Sequence, residues 1–287
     1  MRFSLRLAGA AMFALTPLSY VAAQGAGKDL AMDFRTIVTV QGMPDTGVIQ
    51  GHAVGSGDKL RMDLTMKGPG AQVSPLGSAN GAISMILSDS GKTVTYLDSK
   101  TNRYLRVRPS DMLAQAQQMG GVKMDFSGTE ATVDNLGSGP TILGHPTSHY
   151  RVGTGMTMTI SAMGQQQTVK ISSTSDYFYA TDIKGVLNPF VSLSGSDMAS
   201  TFGGANKEFA DKMKAMTAKL PKGTPLRASS TATMIAQGQT RVTNTQAEVT
   251  SIQWVEASPK LFEVPSTYTA VALPAIGGAS GGAIPPK

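Results

Sequence analysis

Hydrophobic and polar positions alternate with period two over much of this chain. The clearest run is Leu60–Met66, where Leu60, Met62, Leu64 and Met66 fall on one side and Arg61, Asp63 and Thr65 on the other. Strict alternation is the mark of a strand with one covered and one solvated face. Ala31–Gln41 is β-branched and partly alternating, and Met156, Met158 and Ile160 repeat the pattern. Thr93–Leu97 and Arg103–Val107 flank the turn-forming Asp98-Ser99-Lys100-Thr101-Asn102, which predicts a hairpin. Further strands are predicted at Ile83–Leu87, Lys123–Phe126, Thr129–Leu136, Pro140–Leu143, His149–Val152, Val169–Ser172, Tyr177–Ile183, Ala228–Ala236 and Arg241–Val255.

The period changes to 3.6 in two places. Pro109-Ser110-Asp111 opens a predicted helix with Met112, Leu113, Ala116 and Met119 on one face, ended by Gly120-Gly121. Over Asn206–Leu220, Phe209, Met213, Met216 and Leu220 form a single apolar stripe. Glu208 and Asp211 come early and Lys212, Lys214 and Lys219 late, as the helix dipole favours, and Pro221 stops the element. The stripe fits a helix covering the apolar face of a sheet, a movable lid, or a helix lying on an anionic membrane surface. Gly68–Gly81 and Ser194–Ala205 read as loops.

The opening 23 residues break the pattern. Arg2 and Arg6 without an acid, the apolar run Leu7–Leu15 and Val21-Ala22-Ala23 before Gln24 make the tripartite form of a secretory signal peptide. The run is too short for a membrane anchor and carries Pro17 and Ser19 just beyond it. The expected organisation is a signal peptide at 1–23, one β domain at 24–273, and a Gly/Ala/Pro-rich disordered tail at 274–287. Export points to the periplasm, or to secretion.

Composition then narrows the chemistry. Charged residues are 15% and aromatics 6% against 32 glycines, a balance that suits strands and turns. The net charge of +6 loses two with the signal and contains no Lys/Arg block, so no nucleic-acid partner is indicated. There is no cysteine, hence no disulfide framework and no acceptor for a lipid anchor. The 17 methionines suit irregular apolar space. His145 and His149 have an H-x3-H spacing, but Gly144 and Pro146 deny them a helix and no third ligand lies near, so they read as turn residues and no metal is expected. No nucleophile elbow, phosphate-binding loop or dinucleotide fingerprint is present, so no catalytic residue and no cofactor is assigned.

One resemblance emerges from the order of short segments. These are Gly57–Met62; Lys92–Asp98 with Asn102-Arg103-Tyr104; Ile142–His145 with His149–Val152; Asp176–Asp182; and Leu261-Phe262-Glu263-Val264-Pro265. Together they resemble the DUF4412 type of exported bacterial proteins of unknown function, and the wider group around the periplasmic lipoprotein carriers. The likeness runs over Ala31–Val271. It implies a mainly β (α+β) fold, a twisted antiparallel sheet forming an incomplete barrel, with amphipathic helices covering the concave face. It also implies a protein that takes up an apolar ligand, a lipid or the acyl chain of an acylated protein; the want of catalytic motifs makes it non-enzymatic, and the lysine-bearing helix allows transient contact at a membrane surface. Met62, Met66, Met85, Met156 and Met158 would then line the apolar space, with Phe209, Met213 and Met216 closing it from the helix. The alternative is an envelope module with a solid core formed by the same residues; an enzyme ranks third.

Overall fold

A computed structural model describes residues 29–44, 46–68, 76, 81–108, 122–162, 165–183 and 207–272. The signal segment, the 109–121 helix, the 194–205 loop, the tail and most of the 68–81 loop fall outside them.

The described chain forms twelve strands. They are β1 (Asp29–Val40), β2 (Gly47–Ser56), β3 (Lys59–Lys67), β4 (Ala82–Ser88), β5 (Thr93–Asp98), β6 (Arg103–Val107), β7 (Val122–Ser138), β8 (Thr147–Ala162), β9 (Gln165–Ala180), β10 (Thr224–Ala236), β11 (Gln239–Val255) and β12 (Thr269–Ala270). All lie in one open sheet, ordered β12-β6-β5-β4-β3-β2-β1-β11-β10-β9-β8-β7. Neighbours follow one another along the chain except where β1 meets β11 and where β12 returns to β6. The β12–β6 pair is parallel and every other pair antiparallel.

Local chemistry sets the turns. In the β5–β6 hairpin the Asp98 carboxylate accepts from the Lys100 amide at 2.9 Å and the Thr101 hydroxyl at 2.8 Å, and Asn102 takes the left-handed φ of +50°. Between β7 and β8 a two-residue tip, Leu143-Gly144, has φ of +50° and +84° and is closed by reciprocal hydrogen bonds of Ile142 and His145. The pattern predicts a strand over Pro140–Leu143, but this turn takes its place.

The second half also corrects several predicted breaks. Lys123–Phe126 and Thr129–Leu136 are one 17-residue strand, β7, because Gly128 at φ +59° absorbs a register shift inside the ladder rather than ending it. His149–Val152 and Met156–Ile160 likewise merge into β8, and Val169–Ser172 joins Tyr177–Ala180 in β9.

The described residues include one α-helix, α1 (Lys207–Thr217), three residues shorter at its end than the stripe predicts. It packs against β7. The expected incomplete barrel with helices over its concave face is thus corrected to an open sheet on which the one helix among the described residues packs at an edge strand. No helix of the described residues is long and apolar enough to cross a membrane.

Among the described residues three apolar clusters hold the sheet. The largest lies on one face of the first half and includes Leu30, Met32, Phe34, Leu60, Met62, Leu64, Met85, Leu87 and Val249. On the opposite face, Phe262 and the half-buried Leu261, Val264 and Tyr268 pack against Ala31, Val54, Ile86 and Leu97. The chain after β11 thus crosses the sheet as a strap. A short 3-10 turn (Pro259–Phe262) inserts Phe262, the Ala257 amide bonds the Asp29 carboxylate at 2.9 Å, and Thr269 and Val271 bond the edge of β6. The third cluster joins α1 to β8, through Met213, Met216, Val152 and Met156.

Candidate functional site

The eight predicted lining residues do not form one site. Met62 and Met85 are cross-strand neighbours inside the largest cluster, and Met66 packs at its margin opposite Ile49. Met62 is completely buried, at 0% exposure. Met156, Met213 and Met216 meet in the α1 cluster instead. Met158 lies two residues further along β8, half-buried, opposite Phe126 and Val169. Phe209 belongs to α1, but its side chain is outside the described residues.

Register nevertheless puts both groups on the same side of the sheet. Met62 pairs with Ala53, Ala53 with Met32, and Met32 with Ile252. Further along β1 and β11, Thr36 pairs with Ala247, which leads through Ala228 and Tyr177 to Tyr150, in phase with Val152 and Met156. That face is apolar at β1–β5 and again under α1. It also carries the hydroxyl pairs Thr154–Ser173 and Ser175–Ser230, each at 2.8 Å.

One accessible groove lies at the α1 end. A groove of about 400 Å³ runs between the helix and β7, the terminal strand of the sheet. Its floor is Ala131, Val133, Ala215 and Met216; its walls are Thr129, Glu130, Thr132, Lys212 and Lys219. Ala131 and Val133 project to the α1 side and Glu130 and Thr132 to the other, so the groove follows the strand edge itself.

The two wall lysines differ in their partners. Lys212 donates to the Thr129 carbonyl at 2.8 Å and pairs with Glu208 at 2.8 Å, an exposed i,i+4 pair that offsets part of its charge. Lys219 has no ion-pair partner among the described residues. It follows the helix, where Ala218 and Lys219 close the last turn by bonding the Lys214 and Met216 carbonyls. The groove residues missed by the apolar stripe were signalled by spacing alone. Lys212, Ala215 and Lys219 fall at i, i+3 and i+7 beside Met216 of the stripe, on one face of the same helix.

The histidines are more organised than turn residues would be. His52 lies 2.7 Å from Asp33, His145 2.7 Å from Asp182, and His149 2.9 Å from Asp176, so each of the three holds an aspartate. His145 and Asp182 tie the β7–β8 turn to the end of β9, next to Ile142 and Ile183, both buried in the largest cluster. Burial raises the Asp176 carboxyl, but hydrogen bonds from Arg151 and His149 outweigh it and hold the group below its usual range. Asp63 behaves alike: burial raises it, while the bidentate Arg61 guanidinium and the Ser84 hydroxyl bring it down further. Tyr179 is pushed well up by burial and by Tyr177 and Tyr150 beside it. No group of three potential metal ligands occurs among the described residues.

No protein-family model matches the chain, and no curated protein matches it. Among solved structures, it is similar to PNGF-II in a C2 crystal form at 12% identity and a TM-score of 0.29. That match covers 84% of this chain and 30% of the PNGF-II chain, so this chain spans under a third of that length. It is also similar to a DUF1329 family protein from Desulfovibrio piger ATCC 29098 at 10% identity and a TM-score of 0.30, covering 83% of this chain and 91% of that one. Both likenesses are too distant to bear on function, and the DUF4412 resemblance rests on the sequence segments alone.

Proposed function

We propose that this is an exported, periplasmic, non-enzymatic protein that binds an apolar chain in the groove between α1 and β7. One observation carries the reading: the groove has an apolar floor, Ala131, Val133 and Met216, at a place where helix and sheet leave about 400 Å³ between them. That volume lies near the lower end of the roughly 300–1,000 Å³ of sites that enclose a small ligand. Met216 brings an adaptable side chain to it. Of the residues proposed from the sequence to line the site, Met216 borders the groove, while Met156 and Met213 support its floor from the cluster beneath. A lipid or an acylated protein is the expected partner, met at a membrane surface. The His–Asp pairs lie away from the groove, which supports a binding role over a catalytic one.

Native mass spectrometry of protein purified from the periplasm, followed by solvent extraction, tests this. Co-purified lipid, lost in Ala215→Trp, is the expected result. A chain that leaves the periplasm ligand-free and binds no fluorescent acyl probe refutes it. A second reading, an envelope module with a solid core, is favoured by the complete burial of Leu30, Leu60 and Met62. That second reading gains if no acyl probe binds while the fold is intact.

A further inference from the structure

We infer that the groove selects a single-chain amphiphile with one anionic head, held by Lys219; the inference rests on the groove being the ligand site. Three features point to this class. The volume of about 400 Å³ is at the small end for a ligand site, which favours one chain over two or three. The floor is apolar while the walls carry charge, the division an amphiphile requires.

The third feature is the charge arrangement. Lys212 is already paired with Glu208 and engaged with the Thr129 carbonyl, which leaves Lys219 as the wall cation without a partner among the described residues. Two effects limit the strength. Lys219 is exposed, and the helix C-terminal carbonyls beside it carry partial negative charge. The expected preference is about fivefold, the upper end for an exposed ion pair.

The head group is a carboxylate or a phosphodiester, and the probes separate the two. Full-length protein is titrated calorimetrically with laurate, 1-lauroyl lysophosphatidylglycerol, 1-dodecanol and dilauroyl phosphatidylglycerol, below their aggregation concentrations. Laurate or the lysolipid, or both, should bind about fivefold more tightly than dodecanol. Lys219→Gln should remove that difference, Lys219→Arg should keep it, and added salt should weaken it. Dilauroyl phosphatidylglycerol should not displace the bound probe. Equal binding of laurate, lysolipid and dodecanol, or an anion preference that survives Lys219→Gln, overturns the head-group assignment and leaves the groove reading standing. Displacement by the two-chain lipid overturns the single-chain assignment. If none of the four binds, the groove reading itself falls, and this inference with it.

Discussion

Met62 on β3 and Met156 on β8 project from the same face of one sheet, yet six strand-to-strand steps separate them and they belong to different apolar clusters. The first cluster is buried, and the second borders the groove. Equivalent residues should therefore respond differently to truncation. Met62→Ala should lower stability by about 2–4 kcal/mol in urea unfolding, as for other fully buried large-to-small changes, with acyl-probe affinity retained. Met216→Ala should cost less stability, because the groove already exposes part of its surroundings, and should weaken the probe.

The strap offers a second test. Phe262 is buried against Ala31, Val54, Ile86 and Leu97, on the face away from the groove. Phe262→Ala should destabilise by about 3 kcal/mol. Hydrogen exchange should then rise along β6 and β12, where Thr269 and Val271 bond the edge strand. Unchanged exchange there would show that the strap does not secure this edge.

Acid sensitivity follows from the aspartates. Asp63, Asp98 and Asp176 are all held below the ordinary value of 3.8 by hydrogen bonds that outweigh burial. Their pKa is lower folded than unfolded, so the stabilisation is complete above the unfolded value and is lost as pH falls through the folded ones. Urea midpoints should be flat with respect to these groups above about pH 5 and fall steadily below pH 4. Asp63→Asn should be less stable at neutral pH and flatten that acid limb. A variant with the wild-type acid slope would contradict the role given to Arg61 and Ser84.

Gly51 gives a purely steric prediction. A Cβ there would collide with the Phe34 ring and lie 2.8 Å from Leu64 Cδ2, inside the largest cluster. Gly51→Ala should cost about 1–3 kcal/mol by overpacking. Gly→Ala at position 57, with nothing near its missing Cβ, meets only the cost of its φ of +56°. The ratio of the two urea midpoints checks the assignment of the covered face.

Much of this was legible where the signal is local. The alternation of Leu60–Met66 correctly places Leu60, Met62 and Leu64 inside and Asp63 on the other face, since period-two geometry depends only on the strand itself. The hairpin at Asp98–Asn102 was legible for the same reason, as was the stripe that buries Met213 and Met216. What was hidden depends on distant partners. β1 pairs with β11 more than 200 residues away, so no local pattern could assign Met62 and Met216 to separate clusters. The His–Asp pairs join residues 19, 27 and 37 apart on neighbouring segments. The gap at Ser127-Gly128 between two predicted strands reads as a break, but inside a ladder a glycine can also make a bulge. The groove eluded the sequence because it requires knowing that β7 is the edge.

The most direct test of ligand binding between α1 and β7 is photolabelling with a diazirine-bearing fatty acid, followed by peptide mapping. Label confined to Thr129–Val133 and Lys212–Lys219, and displaced by unlabelled laurate, is the expected result. Label centred on Met62 and Met85, or none displaceable by laurate, would contradict it.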